Sequence, residues 1–268
     1  MEATTIGMNR TGAALSPIDV KAMTEAADTL SPAVPIDTGA ADAERLAYIN
    51  DAESVGSIPP PASMKGVLKT GMAKLKGGTP SVFMDKIGER IAFERGGTRL
   101  YDALLTKYQA VQGMGQEVLV PADQLPPLEA TGGAPGSVPG ETPLQTLQRI
   151  RNEELEHFKM LGLAMQKMGG DPTAQTPCAD VQATASMGIL QVVTDPRTTL
   201  AQCLNAMLTA ELTDNAGWEL LVQLAEDAGE AELAGQFLGA LAQEQEHLAI
   251  VKGWLTLLVS RGAGTPAV

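Results

Sequence analysis

The chain has 268 residues, 44% of them hydrophobic and 19% charged, with a formal net charge of −13. That length suffices for one sizeable core plus extra segments, and so acidic a balance argues against binding phosphate backbones. No apolar run reaches membrane-spanning length and the N-terminus lacks a signal pattern, so a cytoplasmic protein with neither a nucleic-acid nor a membrane partner is expected. Cys178 and Cys203 stand far apart with no C-x-x-C spacing, which excludes a structural zinc and a rubredoxin-like module.

In chain order, residues 1–81 read as an N-terminal extension with short helices, one beginning at Ser16-Pro17 and one over Ala40 to Glu53. Pro59-Pro60-Pro61 marks a stiff connector, and Lys65 to Lys76 is a short basic segment suited to packing on an acidic surface. A long helix is expected from Ser81–Met84 to Gln109–Gln112, with Gly96-Gly97 in its middle, where two glycines cost about 1 kcal/mol each relative to alanine. They would serve close helix approach or a π-bulge. Residues 114–141 form a Pro/Gly-rich loop of a length that is uncommon inside a domain, expected to cover a helix end or to make an oligomer contact, as in a homodimer.

The second long helix runs from Thr142 to Met168 and stops at Gly169-Gly170-Asp171-Pro172. A connection over 169–195 follows, with Ala183 to Val193 apolar and lying along the helices. Asp195-Pro196 reads as the N-cap and first residue of the third helix, which extends to Asp227. Gly229 turns the chain into a fourth helix ending near Ser260, and residues 261–268 read as a flexible tail.

The two histidines are the most informative residues. His157 and His247 each lie three positions after a glutamate, Glu154 and Glu244, so each pair shares one helix face. Glu94 and Glu211 occur in apolar helical surroundings, where an unpartnered carboxylate costs several kcal/mol. Glu211 lies 17 residues before Ala228 and Glu244 lies 16 after it, which puts both roughly 25 Å from the turn and level with each other. Carboxylates and imidazoles without thiolates suit iron, manganese or zinc. Four carboxylates balance two divalent ions in charge. Tyr101 and Trp218, each seven residues after a candidate ligand, stand on the ligand faces as core aromatics or as weak candidates for moving electrons. Asp214, Glu153 and Gln243 are placed to orient a ligand imidazole, and Arg90 and Arg95 to neutralise such acids. Glu156 and Glu246, between the motif positions, are expected in solvent or in ion pairs.

The order Glu94, Glu154/His157, Glu211, Glu244/His247 resembles the ferritin-like superfamily of bacterioferritin, rubrerythrin and other di-iron carboxylate proteins, over about residues 82–260. The resemblance implies an all-α fold, a ferritin-like four-helix bundle with a long crossover between helices 2 and 3. It implies two iron ions, or alternatively two manganese ions. Glu154 and Glu244 would be the bridging carboxylates, with Glu94 and Glu211 terminal. The activity implied is a di-iron oxidoreductase in which Fe(II) reacts with O2 or peroxide, served by an external electron donor. An oxygenase or hydroxylase acting on an organic substrate, a dimanganese catalase and a non-catalytic metal-binding scaffold share the ligand set. An oxygenase would require an apolar cavity leading to the metals. One fold hosts many chemistries, and the reaction rests on the site.

Overall fold

The computed structural model describes residues 16–34, 37–56, 80–114, 119–126 and 138–262. Among the described residues the chain forms α-helices and one short 3₁₀ turn, Ala122–Gln124, and no strand. It divides into two compact units, Met1–Ser54 and Val55–Val268. In the first unit lie α1 (Pro17–Leu30) and α2 (Gly39–Asp51), at the two positions read as short helices. Neither contains a buried residue. The proline connector and the Lys65–Lys76 segment fall outside the described residues.

The second unit is built from α3 (Pro80–Gly113), α4 (Pro143–Met168), α5 (Pro177–Thr194), α6 (Leu200–Asp227) and α7 (Ala231–Gly262). Their ends are written locally. Thr142 and Gln145 form a reciprocal capping box that starts α4, satisfying two backbone donors that the first turn leaves free. Gly169, at φ 88°, ends α4, and the Gly170 N–H reaches back to the Met165 carbonyl at 2.9 Å. Gly229, at φ 71°, makes the α6–α7 turn. The start of α6 differs from the sequence reading. Its cap is Thr199, in a second capping box with Gln202, while Asp195 lies just past the end of α5. The Asp195 carboxylate instead accepts the Arg197 N–H at 2.9 Å and its guanidinium, so this Asp-Pro stops one helix rather than starting the next.

Two apolar layers define the helix directions. One contains Phe83, Ile87, Leu161, Met165, Trp218, Leu221 and Phe237. The other contains Leu104, Tyr108, Leu147, Ile150, Leu204, Ile250 and Trp254. Passing from the first layer to the second are α3 and α7, while α4 and α6 pass the other way. Because α4 and α6 run in the same direction, the chain must travel the length of the helices between them. That return is α5, an ordered helix packed on α3 and α6. Around the core, α3 neighbours α4 and α6, and α7 neighbours the same two. The 119–126 segment packs over one end: the Trp254 indole N–H donates to the Val120 carbonyl at 2.8 Å, and Leu125 lies against Gly253. No helix among the described residues is long and apolar enough to cross a membrane.

Candidate metal centre

Between the two apolar layers, at mid-height, the four long helices place Glu94 (α3), Glu154 and His157 (α4), Glu211 and Asp214 (α6), and Glu244 and His247 (α7). All seven are buried. Their ligand atoms fall into overlapping groups within 4.8 Å: Glu94, His157 and Glu244; Glu154, Glu211, Glu244 and His247; and Glu94, Glu154, Asp214 and Glu244. Glu244 belongs to all three groups, and Glu94 and Glu154 to two each. These carboxylate and imidazole groups are close enough together to hold a metal ion.

Both imidazoles turn Nδ1 toward the cluster. His157 Nδ1 stands 2.7 Å from Glu244 Oε1 and 3.6 Å from Glu94 Oε2. His247 Nδ1 stands 3.1 Å from Glu244 Oε2 and 3.6 Å from Glu154 Oε1. The opposite ring nitrogens are held crosswise: His157 Nε2–H donates to Gln243 Oε1 at 2.8 Å, and His247 Nε2–H to Glu153 Oε2 at 2.8 Å. Each histidine is thus oriented by the residue four positions before the other histidine, on the facing helix. With Nε2 carrying the proton, Nδ1 is the nitrogen free to act as a ligand.

The fit to a metal is tested by what the cluster leaves unbonded. Both oxygens of Glu94, one each of Glu154, Glu211 and Glu244, and His157 Nδ1 are buried without a hydrogen-bond partner. The 2.7 Å approach of His157 to Glu244 also lacks hydrogen-bond alignment. Buried polar atoms are almost always paired. So many orphans converging on one region match a cation's needs better than any arrangement of protein donors.

Without cations, protons carry the compensating charge. Burial pushes the Glu94 carboxyl up to about 7, and burial raises Glu154 and Glu211 well above the ordinary range. Glu244 goes the other way: burial works to raise it, but the imidazoles of His247 and His157 outweigh burial and hold it low. Burial likewise opposes a charged His157, yet Glu244 and Glu94 push it up to about 11. Burial, followed by the charge of Glu211, keeps Tyr101 a phenol, and its hydroxyl donates to Glu211. Trp218 meets His157 edge-on at 5.4 Å between ring centroids.

No family model matches the chain, and no curated protein or solved structure matches it.

The surrounding polar residues are distributed differently from the sequence expectation in two respects. Asp214 pairs with the buried Arg90 instead of orienting an imidazole. Arg95 is exposed on the far side of α3. Glu246 does sit in an ion pair, at 2.7 Å from Arg149, which also holds Glu153 at 3.1 Å. Glu156 pairs with Lys159 at the surface. Sequence reasoning passed over Asn215, whose amide donates to the Glu211 and Glu244 carbonyls at 2.9 and 3.0 Å and ties α6 to α7. Its signal was an amide one turn after Glu211. The two central glycines have separate roles within a regular α-helix. A Cβ on Gly97 would stand 2.0 Å from Glu154 Oε2, whereas one on Gly96 would meet nothing within 4 Å.

Proposed function

We propose that this chain is a dinuclear carboxylate protein of the ferritin-like kind, an oxidoreductase that oxidises Fe(II) with O2 or peroxide. The observation that carries the reading is the buried set of orphaned carboxylate and imidazole atoms contributed by four helices, with Glu244 common to every group. The order of the helices, with an ordered return between α4 and α6, agrees with that kinship. In this reading Glu94 and His157 would hold one ion and Glu211 and His247 the other, with Glu154 and Glu244 completing the carboxylate set.

A pair of irons held there would supply the electrons for reducing O2 or peroxide. The chain's own part is electrostatic and steric. Four glutamates would neutralise two divalent ions, which lets this much charge remain in an apolar interior. Glu153 and Gln243 fix the imidazole tautomers. Tyr101 steadies Glu211 through its hydroxyl. The apolar layers above and below exclude bulk water, with Trp218 and Phe237 closing one side at 5.6 Å between centroids.

The test is metal content by mass spectrometry, followed by mixing the anaerobic Fe(II) protein with O2 and then with H2O2. Two irons per chain and oxidant-dependent Fe(II) oxidation are expected. His157→Ala or Glu211→Ala should remove at least one of the two ions. An unchanged stoichiometry in these variants would refute the ligand assignment, and no bound metal under any loading would overturn the function. Two manganese ions with oxygen released from peroxide would replace it with the catalase reading.

A further inference from the structure

The crossover helix α5 is pinned to α3 at both ends. Near its start, Thr176 donates to the Asp85 carbonyl at 3.1 Å and the Cys178 N–H to the Asp85 carboxylate at 2.9 Å. Gly88 permits that approach, since a Cβ there would stand 2.4 Å from Thr176. Past its end, Lys107 Nζ donates to the carbonyls of Asp195 and Thr198 at 2.7 and 3.0 Å. Between the pins the facing residues are small: Ala92 and Gly96 on α3, Ala183 and Ser186 on α5, and Ala210 on α6. Small residues usually let helices close together. Here a cavity of about 440 Å³ remains between them.

Its walls are mainly apolar, formed by Phe93, Leu100, Met187, Ile189 and Leu190, with Gln182 and Gln191 adding amides. At its edge stand Arg95 and Arg99, one helical turn apart on α3. Both are exposed, and neither makes an ion pair or side-chain hydrogen bond among the described residues. In a chain of net charge −13, these two guanidinium groups stand side by side beside the hollow with no acidic partner among the described residues. Guanidinium forks match a carboxylate geometrically, and the volume lies within the range of small-molecule sites, about 300–1,000 Å³.

We propose that the α3–α5 cavity binds an apolar organic monoanion, its hydrocarbon body against Phe93, Leu100 and Met187 and its carboxylate on Arg95 and Arg99. The site is separate from the carboxylate–imidazole cluster. It does not depend on the metal reading, so it is tested on the full chain with and without chelator.

The measurement is titration calorimetry with decanoate and, as the uncharged control, decanol. Saturable binding of one decanoate per chain is expected, at least tenfold tighter than decanol. The Arg95→Ala/Arg99→Ala double variant should lose that preference while still binding decanol, which shows that the cavity is intact. Ser186→Trp should fill the cavity and reduce binding of both probes by tenfold or more. Circular dichroism melts check that each variant is folded. No saturable decanoate binding by the wild-type chain, equal affinity for the two probes, or binding untouched by Ser186→Trp would each overturn the proposal.

Discussion

Two adjacent glycines on α3 show how finely position matters. Gly96 opens on empty space, so Gly96→Ala should stabilise the chain by about 0.5–1 kcal/mol through helix propensity and reduced unfolded-state freedom. Gly97 faces the buried Glu154 carboxylate. That side chain has no open route because the other acids of the cluster surround it. Gly97→Ala should therefore destabilise by about 1–3 kcal/mol and weaken metal uptake; thermal melts of both variants compare the two directly. The histidine supports are just as specific. His247 leans on the Glu153 carboxylate and His157 on the Gln243 amide, and a carboxylate partner makes an imidazole the stronger metal donor. Glu153→Gln should lower the affinity of one ion by roughly tenfold and leave the other nearly unchanged, read from a two-site metal titration. Equal weakening of both ions would contradict the separate roles.

At the scale of elements, α5 decides how the four long helices connect. Its composition, with Asp180 the one charged residue between Pro177 and Thr194, reads as an apolar run, and the sequence placed its centre along the other helices. The sequence did not reveal where it ends. Asp-Pro is a strong helix-start signal in isolation, but the Thr199–Gln202 box supplies two reciprocal hydrogen bonds, while the Asp195 side chain is occupied by Arg197. Lys107 then closes the end of α5 from α3, across 88 and 91 residues of sequence. Such a contact has no local signature. Lys107→Met removes hydrogen bonds from a charged donor to carbonyls and should cost about 1.5–3 kcal/mol. Amide hydrogen exchange should accelerate over residues 190–199 with metal stoichiometry unchanged; loss of metal instead would mean that α5 supports the cluster directly.

For the whole molecule, the charge balance of the interior couples stability to pH. Glu94 is raised from an ordinary 4.5 to about 7 and His157 from 6.5 to about 11. Both are raised above their unfolded values, so each favours the folded chain at low pH. That contribution disappears as pH rises, from 4.5 through about 7 for Glu94 and from 6.5 through about 11 for His157. Glu244 is shifted downward, and its favourable share is complete once pH exceeds 4.5. The metal-free chain should accordingly melt at a lower temperature at about pH 8.5 than at about pH 5.5. Metal ions compete with the same protons, so affinity should rise over that interval and loading should release protons. Melts of chelated and metal-loaded protein at the two pH values check both signs, and a metal-free chain that is more stable at the higher pH would count against proton compensation.

The all-helical class, the four long helices and the convergence of Glu94, Glu154, His157, Glu211, Glu244 and His247 were legible in the residue order. Helix periodicity is local: a spacing of three puts Glu and His on one face, and near-equal distances from Ala228 bring Glu211 and Glu244 level. Tertiary structure decided what depends on contact between segments distant in sequence. Asp214 pairs with Arg90 across 124 residues, and each histidine is supported by the helix that carries the other. Of two identical glycines, one admits a carboxylate and the other borders a cavity. These outcomes depend on helix rotation and on the offset at which two helices meet. Both are set by the summed packing of many side chains, and no short stretch of sequence carries them.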